Sequence, residues 1–263
     1  MPCAALPATE RAKADSKGHV STTEVLHAHN RSLVSVPNAE EAMQNKVICI
    51  NLGGVNCYLL EGTAGFMLID SGFSAKRKVL TEQLEKAGCK AGNLKIVVLT
   101  HGDHDHAGNA AFLRKEYGAK IGMHSADVGM VENGDMGWNR KDKPDRMSLL
   151  LKAIGQMAGI FTRGSVFEKF KPDIELNDGL DLAEYGFDGK VVHIPGHSKG
   201  SIGVLTADGD LFCGDLIYNM PGFDYVDDLQ AYSESIARLK HLNIGKIYPG
   251  HGKPILTGLA SFH

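Results

Sequence analysis

The sequence predicts an α/β fold, and three observations support that prediction. Short runs rich in β-branched and aromatic residues are separated by turn residues, which is typical of neighbouring strands. A stretch with helical spacing of apolar residues then leads into a strand that looks buried. The second half of the chain repeats this kind of pattern. With 263 residues, of which 43% are hydrophobic, the chain can bury a substantial core.

The first half of the chain predicts strands followed by alternating helices and strands. Leu80, Leu84 and Ala87 have helical spacing, and the glycine after them is typical of a helix end. In chain order, the predicted elements are the strands KVICINL (46–52), NCYLLEG (56–62) and GFMLIDSG (65–72), the helix 74–88, the strand LKIVVLT (94–100), the helix AAFLRKEYG (110–118) and the strand AKIGMHS (119–125).

The second half predicts strands, a hairpin and a helix. Within KVVHIPGHSKGSIGVLTADGDLFCGD (190–215), the tetrapeptide ADGD predicts a hairpin turn, and DDLQAYSESIARLKHL (227–242) predicts a helix. Between the halves we expect a helical insertion at about residues 125–170, with apolar residues at helical spacing: Met147, Leu150, Leu151, Ile154 and Met157. Two interpretations remain open for it, an ordinary packed helix and a cap that lines an apolar substrate pocket.

Composition limits the domain organisation and the partners. Residues 1–42 are predicted to be a polar N-terminal extension, for which disorder is one interpretation, and residues 43–263 to be one catalytic domain. The formal net charge is -3 and the basic residues are scattered, which argues against a nucleic-acid partner. No run approaches the roughly 18 apolar residues of a membrane span, and the start of the chain does not resemble an export signal. We therefore expect a cytoplasmic protein with a small-molecule substrate, and leave a homodimer open.

Acidic residues and histidines recur directly after the strand-like runs. Loops at strand ends are where rigid scaffolds commonly place reactive groups. A lone histidine is more often a surface or core residue than a ligand, but five such sites in one chain favour a metal centre. In chain order, the segments are LIDSG with Asp70, THGDHDH with His101, Asp103, His104, Asp105 and His106, HIPGHSKGS with His193 and His197, FCGD with Asp215, and YPGHG with His251.

These five segments, in this order, resemble the motifs of the metallo-β-lactamase superfamily of metallohydrolases over residues 46 to about 256. The resemblance implies an αββα sandwich of two mixed β-sheets flanked by helices, with a dinuclear metal site at one edge. It also implies that Asp70 orients the cluster without binding metal, and His193 is expected either to do the same or simply to pack. The implied ligands are His101, Asp103 and His197 for one ion, Asp105, His106 and His251 for the other, and Asp215 as a bridge between them.

Position 103 departs from the family pattern. The usual motif is HxHxDH, and this chain has HxDxDH, with Asp103 in place of a histidine. Asp103 is the preferred ligand, because His104 should face away from it in an extended loop. A substituting His104 and a site for a single metal are the alternatives. Three carboxylates would make the ions weaker Lewis acids and favour harder ions, so zinc is expected first and manganese or iron(II) next.

The resemblance implies hydrolysis by a hydroxide that bridges two metal ions, with Asp105 and Asp215 as catalytic ligands. Tyr218 follows Asp215 by three residues, a spacing at which lactonases of this superfamily have a tyrosine that holds the substrate carbonyl. We therefore expect a small ester, lactone or thioester as substrate. The alternatives are a phosphodiester or phosphotriester hydrolase, an iron-dependent oxidoreductase such as a persulfide dioxygenase, and a non-catalytic metal-stabilised scaffold.

Overall fold

A computed structural model describes residues 46–158 and 168–257 of the chain. The predicted polar extension 1–42 lies outside these residues. So does the end of the apolar segment that was considered as a cap. Within the described residues, no helix is long and apolar enough to cross a membrane.

The described residues form strands and helices close to the predicted positions. The strands are β1 (Lys46–Asn51), β2 (Asn56–Gly62), β3 (Gly65–Ile69), β4 (Leu94–Val98), β5 (Lys120–Met123), β6 (Arg146–Met147), β7 (Ile174–Glu175), β8 (Gly189–His193), β9 (Ile202–Thr206), β10 (Asp210–Gly214), β11 (Tyr225–Val226), β12 (Lys246–Pro249) and β13 (Ile255–Leu256). The α-helices are α1 (Arg77–Lys86), α2 (His104–Ala107), α3 (Ala110–Tyr117), α4 (Val128–Asn133), α5 (Leu149–Ala158) and α6 (Leu229–Leu239).

The strands form two mixed sheets and one small ribbon. The first sheet has the order β1-β2-β3-β4-β5-β7, antiparallel across β1, β2 and β3 and parallel from β3 to β7. The second has the order β13-β12-β10-β9-β8, in which only β10 and β12 are parallel. The predicted hairpin at ADGD joins β9 to β10. The ribbon pairs β6 with β11 and so ties the predicted insertion to the segment before α6.

Alternating residues of the strands produce a four-layer sandwich, as the resemblance implied. On β3, Met67 and Ile69 pack with Phe212 of β10 in the core between the two sheets. Leu68 of β3 faces the other way and packs with Leu80 and Leu84 of α1. Leu211 and Cys213, the neighbours of Phe212 on β10, face the outer side of the second sheet and pack with Leu239 of α6. The αββα prediction is therefore confirmed.

One boundary in the insertion differs from the prediction. Met147, expected on the helix, lies instead in β6, and α5 begins at Leu149. The reason is local, because the hydroxyl oxygen of Ser148 accepts a hydrogen bond from the backbone N–H of Leu151 (3.2 Å), and its carbonyl accepts one from Lys152 (3.1 Å). Ser148 therefore caps the helix one residue after Met147.

Candidate metal centre

The predicted site residues come together at one edge of the sandwich. Their backbone positions follow the carboxyl ends of strands from both sheets: Asp70 after β3, His101 after β4, His197 after β8, Asp215 after β10 and His251 after β12. The short helix α2, which starts after Asp103, supplies Asp105 and His106. The carbonyl of Asp103 accepts the backbone N–H groups of His106 (2.9 Å) and Ala107 (2.8 Å), so the turn fixes these side chains relative to each other.

Two groups of three side chains could each hold a metal ion. The first ligand group is His101, Asp103 and His197, and the second ligand group is Asp105, His106 and His251. In each, the candidate ligand atoms lie within 4.8 Å of one another. Oδ2 of Asp103 is 3.4 Å from Nε2 of His101 and 3.1 Å from Nε2 of His197. Oδ2 of Asp105 is 3.4 Å from Nε2 of His251 and 3.7 Å from Nε2 of His106.

Asp215 lies beside both ligand groups. Its Oδ1 is 3.3 Å from Nε2 of His106, and its Oδ2 is 3.3 Å from Nε2 of His251. Asp215, His101 and His106 also form a third set of ligand atoms within 4.8 Å of one another. A buried carboxylate in this place can therefore reach an ion in either group.

The four imidazoles of the site all turn Nε2 toward its centre and use Nδ1 for other contacts. The Nδ1 atoms are held by Thr100 Oγ1 for His101 (2.9 Å), Asp70 Oδ2 for His106 (2.8 Å), Tyr218 Oη for His197 (3.1 Å) and the Gly54 carbonyl for His251 (2.7 Å). A partner on the distal nitrogen fixes the ring orientation and the tautomer, as in protein metal sites. The rings are therefore preset to offer Nε2 lone pairs.

Buried polar atoms without hydrogen-bond partners test whether metal ions fit this site. Nε2 of His101 and Oδ1 of Asp215 are both buried and have no hydrogen bond. Buried polar groups in folded proteins are almost always paired, so such atoms need a partner. Imidazole nitrogens and carboxylate oxygens together suit zinc, manganese and iron. The residues present therefore fit divalent metal ions.

The charges of the centre shift the pKa values of its members strongly. Burial would raise the pKa of Asp215, but His251 and His106 hold it well below its ordinary value of 3.8. Burial would lower the pKa of His251, but Asp215 and Asp105 raise it to about 10. The pKa of His197 is lowered by burial and by the neighbouring His101. Without metal, the second ligand group therefore holds protons that a cation would displace.

Asp103 and His104 point to different surroundings. Asp103 is buried and contributes to the first ligand group. The ring of His104 packs edge-on against Phe73, with a centroid distance of 5.1 Å, and its Nδ1 contacts the sulfur of Met136. The alternative ligand His104 therefore faces a wall of the cavity.

Sequence reasoning missed Arg140, which lies beside Asp103. Its Nη1 is 3.0 Å from Oδ1 of Asp103, and its Nη2 donates a hydrogen bond to Oδ2 of Asp103 at 3.0 Å. Nη2 is also 3.1 Å from Nε2 of His197. The Arg140 side chain is only 10% exposed. In this structure the guanidinium therefore offsets the negative charge that Asp103 brings to the centre.

Asp70 and Tyr218 contact members of the centre, and His193 does not. Besides His106, Asp70 accepts the backbone N–H of Thr100 at 2.8 Å. The hydroxyl of Tyr218 donates to Oδ2 of Asp215 at 3.2 Å. Of the two roles left open for His193, its surroundings fit packing, because its ring stacks on His124 and its Nε2 contacts the Lys199 carbonyl at 2.9 Å. It braces the loop that bears His197 and does not touch the ligand atoms.

A cavity of about 290 Å³ opens over the centre. Asp103, Asp105 and Asp215 lie at its polar floor, where Tyr218 also faces it. Its walls are largely apolar, formed by Phe73, Met136, Leu151, Met220, Phe223 and Tyr225. Met136 and Leu151 belong to the predicted insertion, so this segment forms part of the cavity wall as well as packing on the domain.

Comparisons with known proteins agree with this fold. A family model described as the metallo-beta-lactamase superfamily matches residues 50–251. The hydroxyacylglutathione hydrolase GloC of Haemophilus influenzae is 29% identical over 179 residues, which cover 67% of this chain and 73% of GloC. The beta-lactamase-like protein 2 homolog of Drosophila melanogaster is 25% identical over 209 residues, 78% of this chain. This chain spans only 61% of the Drosophila protein.

A solved structure is also similar. The crystal structure of TTHA1623 in a di-iron-bound form aligns with a TM-score of 0.56 and 25% identity, covering 81% of this chain and 96% of that one. The likeness therefore extends over nearly the whole of the other chain.

Proposed function

Since the chain belongs to the metallo-beta-lactamase superfamily, we propose that it is a dinuclear metal-dependent hydrolase of small thioesters, esters or lactones. The observation that carries the proposal is the pair of ligand groups at the floor of an apolar cavity, with Asp215 beside both. One ion would be held by the first ligand group, which is His101, Asp103 and His197. The other would be held by the second ligand group, which is Asp105, His106 and His251, and Asp215 would contact both ions. Bound divalent ions lower the pKa of water to about 7 and polarise a substrate carbonyl.

Tyr218 and Asp105 are proposed to act on the substrate from the cavity side. Burial and the nearby Asp215 carboxylate raise the pKa of Tyr218 well above its ordinary value, so its hydroxyl stays protonated. The single proton of this phenol, which points to Asp215 in this structure, can turn to the carbonyl oxygen of a substrate and donate a hydrogen bond there. The Asp105 side chain is 17% exposed and can accept or return a proton during cleavage.

The cavity favours a small substrate with an apolar part. Its volume is at the lower end of the range of about 300–1,000 Å³ for ligand pockets. The polar groups gather at the floor of the cavity, and the aromatic and methionine side chains form its walls. The scissile group of the substrate would therefore lie at the floor, and its apolar part would lie against the walls. The similarity to GloC, which is named a hydroxyacylglutathione hydrolase, supports thioesters as the first candidates.

Zinc is the first expectation for the metal, with manganese and iron next. The donor set mixes four imidazoles with three carboxylates, which suits all three ions. The di-iron form of TTHA1623 keeps iron among the candidates.

One experiment tests this function against its alternatives. Purified protein would be assayed with an aryl thioester, an aryl ester, a lactone and an aryl phosphate, and its metal content measured on the same sample. We expect close to two ions per chain, with the highest kcat/KM for a carboxylic substrate. Cleavage of the aryl phosphate alone would favour a phosphoester hydrolase. Oxygen uptake with a thiol persulfide, without carboxylic substrate cleavage, would favour an oxidoreductase. In the Asp215→Ala variant, turnover and bound metal should be lost together.

A further inference from the structure

The two ligand groups differ in the charge that surrounds them. The guanidinium of Arg140 contacts Asp103 with both terminal nitrogens, at 3.0 Å each. Within the described part of the chain, no lysine or arginine forms an ion pair with Asp105 or Asp215. The first ligand group therefore has beside it a cation that keeps its charge, whereas the second has only its own histidines, which give up their protons when a metal ion binds.

Arg140 uses the same lone pairs that a metal ion would need. Nε2 of His197 lies 3.1 Å from Oδ2 of Asp103 and 3.1 Å from Nη2 of Arg140, and that guanidinium nitrogen can only donate. Because Nδ1 faces the carbonyl of Tyr225 at 3.4 Å, the ring proton belongs on Nδ1 and Nε2 keeps its lone pair. Nη2 of Arg140 approaches that Nε2 at 3.1 Å while it also donates to Oδ2 of Asp103. One guanidinium nitrogen therefore occupies two of the three donor atoms in the first ligand group.

The position of Arg140 is built into the fold. The preceding residue, Asn139, has a φ of 60°, and its side-chain oxygen accepts a hydrogen bond from Nζ of Lys199 at 2.7 Å. The following residue, Lys141, donates its backbone N–H to Oδ1 of Asp227 at 3.1 Å. The guanidinium carbon also lies 5.2 Å from the ring centroid of Tyr225. The turn is thus anchored on both sides of Arg140, which directs the side chain to Asp103.

We propose that Arg140 occupies the first ligand group in the metal-free protein, so that divalent ions fill the second ligand group first and enter the first only by displacing the guanidinium. A positive charge this close opposes a dication in proportion to 1/r, and screening is weak in a buried site. Arg140 is then a residue that sets the order and affinity of metal loading. The inference rests on the proposed metal centre but not on any substrate.

Calorimetric titration of chelator-treated protein with zinc tests this proposal. In the native chain we expect one tight equivalent and a second that binds at least about tenfold more weakly. Arg140→Gln should tighten the second equivalent by about tenfold or more and leave the first unchanged. Arg140→Met is also uncharged and should have the same effect, so it replaces Arg140→Gln in the experiment if the glutamine variant folds poorly. The matched control is Arg146→Gln, because Arg146 pairs with Asp224 and lies over a tyrosine ring but does not line the cavity.

The outcomes separate this inference from the function. Two equivalents of equal affinity in the native chain, or a second equivalent that is unchanged or weaker in both Arg140 variants, would overturn it. Absence of zinc binding in every protein would overturn both this inference and the metal centre. Zinc binding in the expected order without hydrolysis of any carboxylic substrate would support the inference and contradict only the proposed function.

Discussion

Oδ2 of Asp70 lies 2.8 Å from Nδ1 of His106, and the same carboxylate reaches His101 through the hydroxyl of Thr100. Thr100 donates its hydroxyl proton to Asp70 and can therefore only accept from Nδ1 of His101. Both histidines are thereby held with the proton on Nδ1 and the lone pair on Nε2. One carboxylate outside the ligand groups thus sets the tautomer of a histidine in each of them.

Replacing Asp70 should therefore weaken metal binding. In Asp70→Asn, the amide cannot accept from the Thr100 backbone N–H, the Thr100 hydroxyl and the His106 ring at once. Loss of such outer partners typically costs about 10–100-fold in metal affinity. Competition with a chromogenic chelator would measure the change. Asp178→Asn is the control, since Asp178 pairs with Arg238 on the surface. Equal affinity in the two variants would contradict the tautomer argument.

Asp103 and His104 should differ sharply in their effect on metal content. Asp103→Ala removes a carboxylate from the first ligand group, so we expect close to one ion per chain. His104→Ala removes a ring that packs on Phe73 and Met136, so we expect close to two ions, with the effect confined to substrate binding. Elemental analysis of both variants after the same metal loading checks this. If the His104 variant alone lost an ion, His104 would be the ligand and Asp103 would not.

Tyr218→Phe should lower turnover without removing metal. The variant loses the hydroxyl that faces the cavity but keeps the ring, and it leaves Asp215 and His197 in place. Removing one hydrogen-bond donor to a developing oxyanion costs a factor of about 10²–10³ in kcat. The loss in kcat caused by removing the Tyr218 hydroxyl should lie at or below the lower end of that range. Kinetics with an aryl thioester, together with metal analysis, would show it. Tyr117→Phe, in α3, should behave like the native chain. An unchanged kcat in Tyr218→Phe would exclude the catalytic role.

The metal-free protein should lose stability as the pH rises from 6.5 to about 10. The pKa of His251 is raised to about 10 and that of His106 well above 6.5, so their contribution is complete below 6.5 and is lost through the raised values. The lowered pKa of His197 affects stability only below pH 6.5, so it does not offset this loss. We therefore expect the free energy of unfolding to fall as the pH rises across this interval.

Urea unfolding in the presence of a chelator, at intervals from pH 6 to 10, would measure this loss. His251→Gln removes one of the two titrating groups and should flatten the profile. A stability that rises across this interval in the native chain would contradict the assigned charges.

Much of the architecture could be predicted from local patterns. The strand and helix positions follow from period-2 and period-3.6 spacing. His104 does turn away from Asp103, but it does so as the first residue of helix α2 and not within the extended loop on which the prediction was based. The boundary at Met147 was missed because a single serine hydroxyl decides it. The sequence left two roles open for His193, because strand-end position alone does not show which neighbours a ring meets; in the structure the ring stacks on His124.

Arg140 could not be found from the sequence. It belongs to a short stretch, NRKDKPDR, in which several basic residues look alike. What distinguishes it is tertiary structure, because its turn is anchored by Lys199 and Asp227, which are distant along the chain. An acidic ligand in a cluster of histidines is a signal that a compensating cation is needed, but it does not say which residue supplies it.

The most direct test of the central claim is removal and return of the metal. The native protein would be stripped with a chelator, dialysed and reloaded with zinc, manganese or iron(II), and hydrolysis of an aryl thioester followed as a function of ions bound per chain. We predict that hydrolysis disappears on stripping and returns with at least one of these ions as binding approaches two per chain. Full hydrolysis by protein that contains no metal would contradict the account.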